Sequence, residues 1–149
     1  MDQTSGDKMD TVKLDDFLCF AIYSANHALN RVYKPLLDAI GLTYTQYIAM
    51  ITLWEQDDRT VGSLGEKLFL ESSTLTPVLK RLEALGLIAR TRDKTDERQV
   101  RVQLTAMGCA LQDKAKAIPP CILEASGLEM GELARLKKEI AMLRSSLLR

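Results

Sequence analysis

Apolar residues recur early in the chain as Leu14, Phe17, Leu18, Ala21, Ile22, Ala25, Leu29 and Val32, the three-to-four spacing of a helix with one apolar face. Pro35 follows and should end or redirect that helix, because it lacks the backbone donor the next turn needs. A second helix is expected over residues 45–55, starting near Thr43 or Tyr44, and then the polar loop QDDRT. Val61, Leu64 and Leu68 mark a short helix, with Ser72 or Ser73 suited to cap the next. That helix should bury Leu75, Val78, Leu79, Leu82 and Leu85 and stop at Gly86. Pro77 in its second turn removes a backbone donor and predicts a short helix.

Beyond Gly86 the period changes. Residues 87–92 and 100–104 are β-prone runs joined by DKTDERQ, and Val100, Val102 and Leu104 alternate with polar neighbours. This predicts a hairpin with one buried face. Thr105 can cap a fifth helix to about Ile118, which Pro119 and Pro120 should break. The last helix repeats Leu133, Leu136, Ile140, Leu143 and Leu147, a spacing that favours a partner helix. The fold class is therefore mainly α with a small β-hairpin wing: a winged helix-turn-helix with further helices on both sides. Residues 1–12 read as a flexible tail, 58–105 as a DNA-binding region, and 13–57 with 106–149 as a helical dimerisation region.

Composition narrows the partners. The 149 residues are 46% hydrophobic and 27% charged, with a formal net charge of zero, which suits a globular protein and not a general polyanion binder. The charge is uneven, however. Residues 80–101 hold seven Lys and Arg against four acids, whereas the first twenty residues hold five Asp against two Lys. No apolar run reaches the ~18 residues of a membrane span. The polar start MDQTSGDKMD has no secretory pattern, so a cytoplasmic location is expected. Cys19, Cys109 and Cys121 lack metal-ligand spacing and read as free thiols. No metal, cofactor or enzymatic acid–base pair is expected.

Two short helices, a tight turn and a hairpin present the second helix to the DNA major groove. Ser72, Ser73, Thr74, Thr76, Lys80 and Arg81 can contact base edges and phosphates, and Pro77 can meet thymine methyls. In the wing, Arg92 and Lys94 add positive charge. Arg98 can enter a narrow minor groove, with Asp96 holding its guanidinium. The string STLTPVLKRLEALGLIARTRDKTDERQVRVQLT resembles the winged-helix core of the multiple-antibiotic-resistance regulator (MarR) family. The family's wing pattern is met by Asp96, Arg98, Val100, Val102, Leu104 and Thr105. The resemblance implies a homodimer with intertwined terminal helices, bound to a double-stranded DNA operator.

Cys19 lies on the first helix beside the apolar stripe, where a small inert core residue is the ordinary reading. Asp15, one turn earlier, would oppose a thiolate, and no Lys or Arg lies within a turn. Tyr23 is one turn on. Tyr33 is about 21 Å away along a continuous helix, so it can approach a Cys19 only from a second subunit whose helix crosses antiparallel near Asn26. Tyr44 can reach the same pocket, which Phe17 and Ile22 would line. His27 reads as an interface residue, Cys109 as a packing residue, and Trp54 as a core filler.

The string LDDFLCFAIYSANHALNRVYKPLLDAIGLTYTQYIAM is similar to the organic hydroperoxide resistance regulator (OhrR) branch of the family. The resemblance implies that Cys19 is the peroxide-sensing thiol and that Tyr33 and Tyr44 of the other subunit bond its thiolate, with Tyr23 as a further member. It also implies that Cys121 is the resolving thiol of a two-cysteine member, with an organic hydroperoxide as inducer. The expected function is a redox-controlled repressor. The alternatives are a repressor released by a small aromatic ligand without thiol chemistry, and a thiol peroxidase in which Cys19 turns over.

Overall fold

A computed structural model describes residues 12–149, and the tail expected over 1–12 lies, apart from Val12, outside the described residues. A 3-10 turn, Leu14–Asp16, precedes α1 (Leu18–Asp38). The helix starts at Leu18 rather than Leu14 because Phe17 is extended, at φ −88° and ψ 123°. Pro35 does not end α1. It lies on the solvent side, where water can satisfy the Arg31 carbonyl that loses its donor, while Leu37 beside it is buried. Core packing at the last turn thus outweighs one missing backbone bond.

Helix α2 (Tyr44–Glu55) begins with a capping box. The Gln46 amide donates to Thr43 Oγ1 at 3.3 Å, and Gln46 Oε1 accepts the Thr43 amide at 2.9 Å. It buries Tyr47, Ala49, Met50 and Leu53, and it packs against α1, α3 (Val61–Leu68), α4 (Ser72–Ala84) and α5 (Ala106–Ala115). The core is centred there, with Leu64, Leu75, Leu79, Leu82, Ile88 and Val102 fully enclosed.

Helix α4 differs from its sequence reading at both ends. Its N-cap is Glu71, which makes no side-chain capping bond, so Ser72 and Ser73 are helical. Pro77 is accommodated within thirteen residues of helix because it is exposed, as is Ser73, whose carbonyl loses its donor and can bond water instead. Leu85, expected in the core, is 38% exposed. Gly86 does terminate the helix: at φ +77° its amide bonds the Glu83 carbonyl and that of Leu87 bonds Leu82, the reciprocal pattern a left-handed C′ residue allows.

The hairpin forms as β2 (Ile88–Arg92) and β3 (Val100–Leu104), antiparallel with Arg90 opposite Val102. The QDDRT loop supplies an unforeseen strand, β1 (Arg59–Thr60), which pairs with β3 and gives the order β1-β3-β2. Thr105 caps α5 through the Gly108 amide. That helix ends at Ala115, short of Ile118, and the two prolines open α6 (Ile118–Ser126) instead of breaking a helix. First-turn amides have no helical acceptor, so proline costs little there. Helix α7 (Met130–Leu147) buries no residue within this subunit.

Candidate nucleic-acid interface and thiol site

Helices α3 and α4 with the three strands form the winged helix-turn-helix. Ser72, Ser73, Thr74, Pro77, Lys80 and Arg81 share the exposed face of α4. Thr76 is half-buried, and its hydroxyl donates to the Ser72 carbonyl at 2.7 Å, so only its oxygen remains open as an acceptor. Between this face and the wing runs a groove of about 400 Å³ of mixed character, lined by Ser72, Thr76, Arg90 and Arg98 and also by Val61 and Val100.

Arg98 crowns the wing with its side chain 91% exposed, and its Nε donates to Asp96 Oδ1 at 3.2 Å. Arg92 donates to the Glu97 carbonyl at 3.0 Å, and Lys94 is exposed. The basic stretch is less available than its residue count suggests. Arg90 is held by Glu83 at 3.2 Å. Arg101 donates to Asp58 Oδ1 at 2.7 Å, to the Asp58 carbonyl at 2.8 Å and to Asp93 Oδ2 at 3.0 Å. These two cations brace the wing from within, leaving Lys80, Arg81, Arg92, Lys94 and Arg98 outward. Asp93 is held well below the usual carboxylate range, first by the Thr95 hydroxyl, then by the Thr95 amide and Arg101. Sequence reasoning missed this brace because Asp58 enters it from a loop with a left-handed backbone, φ +58°.

The thiol region is built on α1, which runs unbroken from Cys19 to Tyr33, so the two are about 21 Å apart in one chain. Asp15 lies in the preceding 3-10 turn, off the helical face it was expected to share with Cys19. Cys19, Phe17, Ile22 and Tyr23 are exposed in the single subunit. No residue of the stripe expected to be buried is buried within the subunit, and α1 sends only Leu37, beyond that stripe, fully into the core. Tyr23 packs edge-on against His27, ring centroids 4.5 Å apart.

Tyr33 and Tyr44 converge from α1 and α2, with ring centroids 5.1 Å apart. Tyr47, which the sequence reading overlooked, backs Tyr33 at 6.1 Å and is buried. Burial first, and then the neighbouring Tyr44 and Tyr47, push the Tyr33 phenol up to about 12. It therefore stays protonated and able to donate a hydrogen bond at any ordinary pH. The pair borders a cavity of about 460 Å³ that Asn26, Asn30, Lys34 and Thr45 also line. Cys121 is exposed on the first turn of α6, and Cys109, expected to pack, is exposed on α5. Trp54 is more than filler: its Nε1 donates to the Gly108 carbonyl at 2.9 Å. Among the described residues no cluster of His, Cys, Asp and Glu could hold a metal, and no helix is long and apolar enough to cross a membrane.

A winged helix-turn-helix with an open basic face, flanked by helices with uncovered apolar stripes, defines a DNA-binding transcription regulator. Residues 31–115 match the family model described as transcriptional regulator SarA/Rot. The organic hydroperoxide resistance transcriptional regulator of Bacillus subtilis is 44% identical over 140 residues, 94% of this chain and 95% of its own. Reduced AbfR bound to DNA superposes with a TM-score of 0.74 at 36% identity, covering 89% of this chain and 92% of that one. Disulfide-formed AbfR gives a TM-score of 0.60 at 37% identity over 87% and 86%; AbfR is a protein of Staphylococcus epidermidis. The chain belongs to the MarR family of winged-helix regulators, in its organic hydroperoxide resistance branch.

Proposed function

We propose that this chain is a cytoplasmic, homodimeric repressor that binds a pseudo-palindromic operator when reduced and releases it when an organic hydroperoxide oxidises Cys19. The observation that carries the reading is the pair of phenols, Tyr33 and Tyr44, beside a cavity that their own Cys19 cannot reach. An antiparallel crossing of two α1 helices near Asn26 brings residue 19 of one to residue 33 of the other. Residues 13–57 and 106–149 build the dimer, and residues 58–105 read DNA. The exposed apolar side chains of α1 and α7 support that division.

In the reduced dimer, the phenols of Tyr33 and Tyr44 hold the partner's thiolate by hydrogen bonds, and Tyr23, one turn from each Cys19 on the same helix, is a further member of the set. The Cys19 sulfur attacks the distal peroxide oxygen. The O–O bond breaks, the sulfur becomes a sulfenic acid, and the alkoxide leaves as an alcohol after taking a proton. The thiol of Cys121 in the other subunit then displaces water from the sulfenic acid and forms a disulfide. Cys121 sits on the short α6, which packs against α1, so the crosslink pulls on the dimerisation helices. The two reading heads then lose their spacing of about 34 Å. A loss of about 3–4 kcal/mol lowers operator affinity a few hundredfold. Ser72, Ser73, Thr74, Thr76, Pro77, Lys80 and Arg81 form the major-groove face, and Arg92, Lys94, Asp96 and Arg98 form the wing contact.

Operator binding titrated with cumene hydroperoxide tests this in wild type, Cys19→Ser and Cys121→Ser, with non-reducing gels alongside. Wild type should release DNA as a crosslinked dimer, Cys19→Ser should stay bound, and Cys121→Ser should lose the crosslink. Release by Cys19→Ser would overturn the reading and favour a ligand-released repressor. Peroxide consumption through many turnovers with a dithiol reductant would make the chain an enzyme.

A further inference from the structure

Phe69 sits in the turn between α3 and α4 with a left-handed backbone, φ +57° and ψ 39°. That conformation favours glycine and disfavours a bulky side chain. The flanking turn is well anchored, since Leu68 and Leu70 pack on the core and the Leu70 amide bonds the Gly65 carbonyl at 2.9 Å. The Phe69 ring takes no part in that packing and is 56% exposed. It does have a partner from far along the chain. The Arg144 guanidinium, near the end of α7, lies over the ring with Cζ 4.3 Å from its centroid, within the range of a cation–π contact.

Both ends of this contact are informative. Phe69 ends three residues before Ser72, where α4 begins, so its position is tied to the tilt of the reading helix. Arg144 belongs to a helix that buries nothing in its own subunit and whose apolar stripe contains Leu136, Ile140 and Leu147, all exposed. We propose that Phe69 and Arg144 are positioning residues for operator binding: they link α7 to the helix-turn-helix corner and so set the separation of the two reading helices. The inference rests on the DNA-binding reading but not on thiol chemistry.

A palindromic site demands one separation, a DNA turn between half-sites, so a contact that fixes it should act on spacing discrimination more than on general DNA affinity. It can add to specific binding no more than its own strength. An exposed cation–π contact corresponds to about a 2–5-fold change in affinity.

The test uses full-length reduced protein and a duplex selected by the wild type from random-sequence DNA, with versions carrying one or two extra central base pairs. Phe69→Leu, Arg144→Ala and Arg144→Lys are compared with wild type, with melting temperatures checked alongside. Phe69→Leu keeps every charge and should weaken the selected duplex about 2–5-fold while leaving random-sequence DNA unchanged. It should also reduce discrimination against the lengthened duplexes by a similar factor. Arg144→Lys should retain most of the affinity, and the Phe69→Leu, Arg144→Ala double variant should be no worse than Arg144→Ala. Wild-type affinity and discrimination in Phe69→Leu, or losses that simply add in the double variant, would overturn the proposal. A wild type that selects no duplex would instead remove the DNA-binding reading.

Discussion

Replacing Gly108 by alanine tests the joint between the winged domain and α5. A Cβ added there runs into the Leu87 carbonyl oxygen and comes within 3.3 Å of Leu104 Cδ2. The carbonyl cannot easily retreat. It accepts the Thr105 amide at 3.1 Å, and the residue after it, Ile88, pairs with Leu104 in the sheet. The displacement must therefore be shared by α5 and the start of the wing. Overpacking of this kind costs about 1–3 kcal/mol. At about 2–4 °C per kcal/mol for a chain of this size, Tm should fall by about 2–12 °C.

Trp54 reports the same place, because it is the only tryptophan and its indole donates to the Gly108 carbonyl. Its emission should shift to longer wavelength in the variant. Melts must be compared at one protein concentration, since association couples Tm to concentration. Gly131→Ala is the control: its Cβ meets nothing within 4 Å in the first turn of α7, and it should gain about 0.4–1 kcal/mol. A Gly108→Ala protein that melts within about 1 °C of wild type, with unchanged emission, would refute the argument.

Tyr33 makes a prediction at high pH. An acid whose folded value is raised stabilises the fold in its protonated form, so its contribution is complete below about 10 and is lost as pH rises toward about 12. Tyr33→Phe should show a shallower loss of stability across that window in denaturant titrations, and parallel curves would contradict it. In the wing, Arg98→Ala should leave Tm unchanged, weaken operator binding and lower the salt slope by about 1. Arg101→Ala, which unpairs Asp58 and Asp93, should lower Tm as well as affinity, so equal effects of the two would refute the assigned roles. Leu136→Glu with Ile140→Glu should convert the proposed dimer to monomers in sedimentation while circular dichroism stays helical; a persisting dimer would show that α7 is not in the interface.

Periodicity revealed the longer helices and the hairpin because each carries one regular apolar face, even where, as on α1 and α7, the single subunit leaves that face uncovered. It misplaced boundaries wherever exposure decided the outcome. Local rules make Pro35 and Pro77 disruptive, yet both face water and their orphaned carbonyls can be solvated. The same rules make Pro119 and Pro120 a break, and they instead open α6, since the spacing alone does not say which side of a proline the helix takes. Strand β1 is two residues long and carries no pattern of its own. Tyr33 and Tyr44 stand out in the sequence through the resemblance to the organic hydroperoxide resistance branch, whereas Tyr47 does not, because a buried aromatic on α2 looks like any other core residue. The Arg101 brace joins residues 58, 93 and 101, and no short-range rule connects them.

Pro35 leaves α1 without one rung of its backbone ladder just past Tyr33. The rod is therefore softest at that level, and its two parts should breathe separately. Amides of the final turn, moored by Leu37, would exchange with deuterium slowly even in an isolated subunit. Those nearer Cys19 would be protected only when a second copy lies across them, so isotope uptake along a single helix becomes a gauge of pairing.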